Sequence, residues 1–171
     1  MGKLNGQVAI ITGGARGIGE GICKVFCNEG AMVALWDIMD EGQNTADRIK
    51  DEGGEIIFQN VNVSDQSSVD KAVEKLISEY GKIDILINNA GIIRDRSFLK
   101  MSRDEWDRVI DVNINSLYTT AKAVLPHMKE AKYGRIISAS SINAFQGAFG
   151  QTNYAASKAA IAGFTRALCK E

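Results

Sequence analysis

The sequence predicts an α/β fold, a doubly wound parallel sheet with helices on both of its faces. Short apolar runs rich in β-branched residues alternate with longer stretches of helical periodicity along the 171 residues. This alternation is typical of parallel strands joined by helices. Turns rich in glycine, asparagine or serine follow several of the apolar runs. Ligands of such sheets bind where the carboxyl ends of the strands emerge. We therefore expect a binding site at that edge.

Composition limits the classes of function. Charged residues make up 24% of the chain and the net charge is −1, so neither a nucleic acid nor a membrane surface is indicated as a partner. No apolar run has the length that a bilayer requires. The length suits one domain, which we place at residues 1–171. An odd number of cysteines, 3, argues against a disulfide framework. A reducing cytoplasm is the expected compartment.

The cysteines and the histidine do not suggest a metal site. Cys23 and Cys27 share a helix face, and two thiols without further ligands bind a metal poorly. We expect both to be buried packing residues. His127, the only histidine, follows Pro126 near the end of a helix and is expected to be structural.

The first strand, residues 8–12, leads into a glycine-rich turn and then into a helical pattern. Small residues let backbone N–H groups and a helix N-terminus approach a pyrophosphate. Glycine-rich turns are common, and it is the strand before and the helix after that favour cofactor binding here. The predicted cofactor-binding residues of this turn are Gly13, Arg16, Gly17, Ile18 and Gly19.

The second strand, residues 32–37, ends in Asp37, eighteen residues after Gly19. A carboxylate at about this spacing takes the ribose hydroxyls of a bound dinucleotide. The same charge would repel a 2′-phosphate, so the sequence favours NAD(H) over NADP(H). The alternative role of Asp37 is that of N-cap for the helix that starts near Asp40.

The middle of the chain continues the alternation. We expect a helix that ends at Asp51, a strand over 55–61, a helix over 65–80 and a strand over 83–88. Ser102-Arg-Asp-Glu105 fits a capping box and predicts one long helix, which Pro126 kinks near its end. Asn113 lies in the apolar stripe of that helix, where a satisfied core asparagine is the alternative to a functional one. A fifth strand over 135–139 follows.

Tyr154 and Lys158 lie four residues apart, on the same face of the last predicted helix. A nearby ammonium favours the phenolate form of a tyrosine, which promotes proton transfer at neutral pH. Ser141 follows the fifth strand, so its hydroxyl can face the tyrosine across a loop. A second such pair, Tyr118 and Lys122, has no serine at the matching distance and is expected to be a packing pair. We predict a proton-transfer site at Ser141, Tyr154 and Lys158.

This combination resembles the active-site signature of the short-chain dehydrogenase/reductase family. The other motifs fall in the family's order, so the resemblance covers the whole chain. Residues 146–154 look most like acetoacetyl-CoA and 3-oxoacyl-carrier-protein reductases. The resemblance implies a Rossmann-type fold and NAD(H)-dependent reduction of a carbonyl, with a 3-oxoacyl thioester as the expected substrate. The alternatives are another alcohol, sugar or steroid dehydrogenase of this family and a cofactor-binding protein without turnover.

The resemblance also assigns roles near the reacting carbonyl. Tyr154 would donate the proton, Ser141 would hydrogen-bond the carbonyl oxygen, and Lys158 would also bind the nicotinamide ribose. Asn113 would fix a water that passes protons toward the lysine. Ser140 is the weaker alternative to Ser141.

Further roles concern the cofactor and the acyl group. A basic residue at the place of Arg16 can hold a 2′-phosphate in the family, which opposes the preference set by Asp37, but Ile38 supplies no second cation. Asn62 and Val63 would contact the adenine, although the family usually has an aspartate at the position of Asn62. The remaining implied contacts are Asn89, Ala90 and Gly91 in the cofactor groove, and Phe149 and Gln151 along the acyl chain. For the cations Arg94, Arg96 and Lys100, two interpretations stay open: they are merely solvated, or, near the mouth of a site, they meet CoA phosphates or an acidic carrier protein.

Members of the family continue beyond the helix that carries Tyr154. We therefore expect the family's domain to be truncated in this chain after that helix, the fifth strand to be an open edge, and the chain by itself to be inactive. The face formed by Ile161, Phe164 and Leu168 would lack part of its packing partner. A homodimer through the Ser102 and Tyr154 helices is expected, without the contacts that build the family's tetramers.

Overall fold

The computed structural model describes residues 2–171. The strands are β1 (Val8–Thr12), β2 (Met32–Asp37), β3 (Ile56–Asn60), β4 (Ile85–Asn88) and β5 (Arg135–Ser138). The helices are α1 (Gly17–Asn28), α2 (Glu41–Asp51), α3 (Gln66–Tyr80), α4 (Arg103–Ile110), α5 (Ser116–Glu130), α6 (Asn143–Gln146) and α7 (Thr152–Leu168). A 3₁₀ turn covers Phe98–Lys100, and a π-helical turn, Asp111–Asn115, joins α4 to α5.

The strands form a parallel sheet in the order β3-β2-β1-β4-β5. The chain therefore builds outward from β1 to β3 and then returns to the other side of β1 with β4. The carboxyl ends of β1 and β4 flank the point at which the strand order reverses, where ligands of open α/β sheets bind. This architecture confirms the predicted Rossmann-type fold.

Alternate residues of the buried strands face two separate cores. On one face, Ile10, Trp36 and Leu86 pack with α3 and α5; on the other, Ile11, Leu35 and Ile87 pack with α1 and α2. Because successive strand side chains point to opposite faces, an apolar run without polar alternation needs helices on both sides. Cys23 and Cys27 lie in the second core, as expected. Burial raises the pKa of Cys27 to about 11 and raises that of Cys23 further.

Four expectations are corrected in detail. The strands expected over 55–61 and 83–88 are shorter, at Ile56–Asn60 and Ile85–Asn88. The long helix from Ser102 is not continuous, because the π-helical turn interrupts it. Tyr118 is 61% exposed on the solvent side of α5, so the prediction of a packing pair with Lys122 was wrong.

The last helix is better packed than expected. Ile161 is 2% exposed within this chain, because α7 lies against α4 and the π-helical turn. The expectation that this face lacks part of its packing partner is therefore wrong for Ile161, whereas Phe164 and Leu168 are only half-buried. β5 is an edge of the sheet, as predicted, and its Ile137 is 54% exposed.

No helix within residues 2–171 combines the length and the apolar character that crossing a bilayer requires. The same residues contain no cluster of three or more His, Cys, Asp or Glu side chains arranged to hold a metal ion.

Candidate active site

A groove of about 410 Å³ opens at the carboxyl ends of the central strands. It is lined by all eleven residues predicted to contact the dinucleotide from Gly13 to Gly91, and by Trp36, Ile38, Met39, Val61, Ile92 and Val112. Sequence reasoning did not assign a groove contact to these six residues. All six are apolar, and nothing in the sequence distinguishes them from other apolar residues. Five lie close in sequence to a predicted residue or a strand end, and the sixth, Val112, precedes Asn113 in the π-helical turn.

The glycine-rich turn brings backbone close to backbone. A Cβ atom on Gly19 would lie 2.0 Å from the carbonyl oxygen of Gly13 and 2.8 Å from the side-chain nitrogen of Asn89. Gly13 and Gly17 have φ angles of 65° and 60°, in the left-handed region that glycine adopts at little cost. Arg16 provides no side-chain cap to α1. The N–H groups of the first turn of α1 are thus available to an anion, and the turn fits a pyrophosphate.

Asp37 closes the same groove at the end of β2. Its carboxylate accepts hydrogen bonds from the backbone N–H groups of Ala15, at 3.0 Å, and Met39, at 3.1 Å. It is not the N-cap of α2, because Asp40 occupies that position, so the alternative role was wrong. Within residues 2–171, Asp37 makes no ion pair, and Arg16 is exposed and also makes none.

The end of β4 is fastened to the end of β1. The side-chain nitrogen of Asn89 donates to the carbonyl oxygens of Thr12, at 3.0 Å, and Gly13, at 3.1 Å. In return, the hydroxyl of Thr12 accepts the N–H groups of Asn89 and Ala90, both at 3.0 Å. These four bonds hold the two sides of the groove together. Thr12 was not predicted as a site residue, although a hydroxyl at the end of a central strand is a usable signal.

Asn62 and Val63, the residues predicted to contact the adenine, both line the groove. The side-chain oxygen of Asn62 accepts the N–H of Ser64 at 3.1 Å, an Asx turn that shapes the loop after β3. Val63 is 7% exposed and forms part of the wall. Asn62 thus shapes the loop as well as lining the groove.

Lys158 is buried next to Gly91, a residue that lines the groove. It is 5% exposed, and its ammonium donates to the carbonyl oxygen of Ala139 at 2.7 Å. Burial lowers the pKa of Lys158 below its usual value. The ammonium lies 5.7 Å from the centre of the Tyr154 ring. A Cβ on Gly91 would be 3.5 Å from this ammonium, so the lysine adjoins the wall of the dinucleotide groove.

Of the hydroxyls of Ser140, Ser141 and Tyr154, the first is used within the protein and the other two are available. Ser140 donates to the backbone carbonyl of Lys158 at 2.8 Å, which gives it a structural partner. The Ser141 hydroxyl accepts the N–H of Asn143 at 3.2 Å, and its own proton is free to be donated. Within the described residues, the half-buried Tyr154 has no hydrogen-bond partner for its hydroxyl.

Asn113 projects inward from the π-helical turn and is 1% exposed. Its oxygen accepts the N–H of Ile92 at 2.8 Å, and its nitrogen donates to the carbonyl of Ile92 at 3.0 Å and to the hydroxyl of Ser157 at 3.1 Å. Its oxygen would also lie 3.2 Å from a Cβ on Gly91. Asn113 therefore links the loop after β4 to α7, beside Lys158.

The predicted acyl-chain residues differ in their surroundings. Phe149 is 93% exposed. The side chain of Gln151 accepts a hydrogen bond from Asn143 at 2.8 Å and donates one to Asp95 at 2.9 Å, so it braces two loops. Of the predicted cations, Arg96 is already paired with Glu105 at 2.9 Å. The Ser102 N–H and Arg96 hold the pKa of Glu105 below its usual range.

The chain matches a family model. The model is described as short chain dehydrogenase, and the match covers residues 7–171. The chain belongs to the short-chain dehydrogenase family. Members of this family are oxidoreductases that bind a nicotinamide cofactor, which agrees with a glycine turn shaped for a pyrophosphate.

Relatives within the short-chain dehydrogenase family confirm the predicted resemblance. The chain is 47% identical over 169 residues to the 3-oxoacyl-(acyl-carrier-protein) reductase FabG of Chlamydia pneumoniae, covering 98% of this chain and 68% of the relative. It is 41% identical to FabG of Thermotoga maritima, covering 99% of this chain and 69% of the relative. It is 44% identical to the oxidoreductase UcpA of Escherichia coli, covering 100% of this chain and 65% of the relative. The chain thus spans about two thirds of the length of these relatives.

Proposed function

We propose that this protein reduces the carbonyl group of a 3-oxoacyl thioester, with NAD(H) as cofactor. The observation that carries the proposal is the buried ammonium of Lys158, 5.7 Å from the ring of Tyr154 and beside the Gly91 end of the dinucleotide groove. A phenol next to a fixed cation is suited to proton transfer. The names of the FabG relatives supply the substrate class.

In this proposal, the groove lined by Gly13, Asp37 and Gly91 would hold a reduced nicotinamide cofactor, which would supply the hydride for the carbonyl carbon. Tyr154 donates its hydroxyl proton to the carbonyl oxygen, so the product is a secondary alcohol and the tyrosine becomes a phenolate. The positive charge of Lys158 stabilises that phenolate. Ser141 donates a hydrogen bond to the carbonyl oxygen, since its own proton is not used within the protein. Asn113 holds the loop that carries Gly91 against α7 and orients any water near Lys158.

Exposed apolar side chains around Ser141 favour an acyl substrate. Ile142, Phe145 and Phe149 are 64%, 74% and 93% exposed, and they would be covered by an acyl chain. Gln151 fixes the loop that presents them. We propose that Arg94 and Lys100, which have no carboxylate partner within residues 2–171, meet the phosphates of CoA or an acyl carrier protein.

The preference for NAD(H) rests on Asp37. The carboxylate is fixed by two backbone N–H groups at the edge of the groove and has no neutralising cation in the described chain. A 2′-phosphate placed there would meet a like charge. Arg16 is the feature that opposes this preference.

We also propose that residues 1–171 form one dinucleotide-binding domain and that its compartment is a reducing cytoplasm, which suits 3 free cysteines. A homodimer through α4, α5 and α7 is proposed on the family resemblance. Light scattering coupled to size-exclusion chromatography measures that assembly directly.

A steady-state assay with NADH tests the function. Acetoacetyl-CoA is compared with a panel of simple ketones, sugars and steroids at equal concentration. A kcat/KM for the thioester well above that for every other substrate supports the proposal. Turnover of a different ketone would favour another dehydrogenase, a candidate supported by the likeness to UcpA. Cofactor binding without any turnover would contradict the proposal for this chain; it would favour either a binding protein or the expected inactivity of a domain truncated after α7.

A further inference from the structure

Asn153, the residue before Tyr154, makes three hydrogen bonds inside the protein. Its side chain is 0% exposed. The side-chain oxygen accepts the backbone N–H of Tyr154 at 2.7 Å. The side-chain nitrogen donates to the carbonyl oxygens of Arg94, at 3.0 Å, and Glu105, at 3.2 Å. One amide group therefore joins the start of α7 to the loop after β4 and to the backbone of α4.

The bond to Tyr154 replaces a missing helix cap. Gln151 occupies the N-cap position of α7 and makes no side-chain cap. Tyr154 is the third residue of the helix, so its N–H has no partner within the helix. Because Asn153 satisfies that N–H from within the first turn, the backbone that carries the tyrosine is tied to its own helix start. Both donors of the Asn153 amide are used as well, so its orientation is fixed.

The bond to Arg94 connects the tyrosine with the groove. Arg94 lies three residues after Gly91, in the loop that Asn113 holds through Ile92. Asn113 fixes that loop relative to Ser157, and Asn153 fixes it relative to Tyr154. The loop is thus held to α7 at two positions, Asn153 and Ser157, which come before and after Tyr154 in the sequence.

We propose that Asn153 is a positioning residue of the reaction: it sets where the Tyr154 hydroxyl lies relative to the nicotinamide end of the groove. This inference rests on the proposed function. Misplacement of a reacting group by about 1 Å can cost about 100-fold in rate. The residue touches neither the substrate nor the cofactor in this role, and it acts through Tyr154.

The first test replaces Asn153 by Ala and by Ser. Asn153→Ala removes all three bonds and should lower kcat by about 100-fold while KM for NADH stays within about 2-fold. Asn153→Ser keeps a hydroxyl that can accept the Tyr154 N–H but cannot reach both carbonyls, and it should recover only part of kcat.

Asp84→Ala is the matched control. Asp84 is a buried side chain that accepts the N–H of Val8 at 2.8 Å near the amino end of the sheet. This control should lower the melting temperature without lowering kcat at a temperature well below unfolding.

A double-mutant comparison separates positioning from general support. In a Tyr154→Phe background, Asn153→Ala should cost less than about 3-fold of the residual rate, because the group that it positions is gone. An equal loss in both backgrounds would overturn the proposal. So would a folded Asn153→Ala variant with wild-type kcat, or the failure of both Asn153 variants to fold.

Amide hydrogen exchange gives a readout that does not depend on turnover. Asn153→Ala should speed exchange at the Tyr154 N–H, whereas the Val8 N–H should keep its protection. If the unaltered protein binds NADH but reduces no carbonyl, the proposed function fails. The exchange result then still decides whether Asn153 holds Tyr154 in place, and unchanged protection at Tyr154 would overturn the inference by itself.

Discussion

Two tyrosines of this chain precede a lysine by four residues, and their surroundings separate them. Tyr154 is half-buried, with the ammonium of Lys158 5.7 Å from its ring. Tyr118 is 61% exposed and Lys122 is exposed. A charge in bulk water is screened, whereas one held in a partly buried site acts strongly on its neighbour. The same spacing therefore supports the proposed proton transfer only in the first pair.

Tyr154→Phe should lower turnover by about 10²–10⁴-fold, the usual contribution of a general acid. NADH affinity, measured by fluorescence titration, should change by less than about 2-fold, because the groove is built from other residues. Tyr118→Phe provides the matched control and should leave both quantities unchanged. A Tyr154→Phe protein that retains more than about a tenth of wild-type turnover would remove Tyr154 from the mechanism.

Asp37 should make NADH the better cofactor by about 10²-fold in kcat/KM, owing to charge repulsion of the 2′-phosphate. Asp37→Ser should improve NADPH more than NADH, since it removes the charge and keeps a polar group. Arg16→Gln should weaken NADPH alone. Steady-state kinetics with both cofactors measure these ratios. Preference for NADPH in the unaltered protein would show that Arg16 dominates.

At the scale of elements, the first turn of α1 has no room for a side chain at Gly19. Gly19 faces the Gly13 carbonyl, whereas a Cβ on Gly21, two residues later in α1, would meet nothing within 4 Å. The two glycines lie in one helix and differ in what they touch. Comparing the same substitution at Gly19 and Gly21 therefore separates the effect of steric contact from the effect of helix propensity.

Gly19→Ala should weaken NADH binding by about 10-fold or more, because the turn must open to accept the methyl group. Gly21→Ala should leave binding unchanged and raise the free energy of unfolding by up to about 1 kcal/mol, the propensity difference between Ala and Gly in a helix. Fluorescence titration and urea denaturation measure the two effects. Equal NADH affinity in both variants would mean that the turn does not cradle the cofactor.

The segment between Ser102 and Glu130 shows where pattern reading fails within an element. Its capping box is confirmed, with Ser102 and Glu105 bonded to each other's backbone. The π-helical turn in the middle was not predicted, since the buried residues Val109, Asn113, Leu117 and Ala121 follow one another at the four-residue spacing of a regular helix. Turns of this kind often occur at functional sites. Here it carries Asn113, whose side-chain partners, Ile92 and Ser157, come from other parts of the chain.

At the scale of the whole molecule, the burial of Lys158 in the candidate active site makes the free energy of unfolding depend on pH. Burial lowers its folded-state pKa below the usual value of about 10.4. At pH values between the lowered pKa and about 10.4, Lys158 binds more protons in the unfolded chain than in the folded one. The contribution of Lys158 to stability is therefore least favourable at neutral pH and improves as the pH rises through this window.

The difference in free energy of unfolding between Lys158→Met and the unaltered protein should change with pH accordingly. Met carries no charge, so the variant should gain most relative to the unaltered protein near about pH 7 and progressively less toward about pH 10. Urea denaturation at several pH values measures the difference. The buried thiols of Cys23 and Cys27 titrate in both proteins and cancel. A relative gain that grows with pH would contradict the assignment of Lys158 as a desolvated lysine.

The sequence by itself determined the layered fold and the family, and it singled out eleven residues that line the groove at the carboxyl ends of the strands. These features follow from short-range patterns. Strand residues such as Val8–Thr12 are apolar on both faces, and the residues after each strand must meet at one edge because all the strands are parallel. The spacing of Tyr154 and Lys158 on one helix is equally local.

Only the tertiary structure decided how the side chains of the site are held. Asn153 bonds to Arg94, 59 residues away in the sequence, and Asn113 bonds to Ser157, 44 residues away. Gln151, predicted to border the acyl chain, donates a hydrogen bond to Asp95, 56 residues away. An asparagine or glutamine carries the same donors and acceptors wherever it stands, so its partners are set by which backbone groups folding leaves unpaired nearby. No pattern within one segment contains that information.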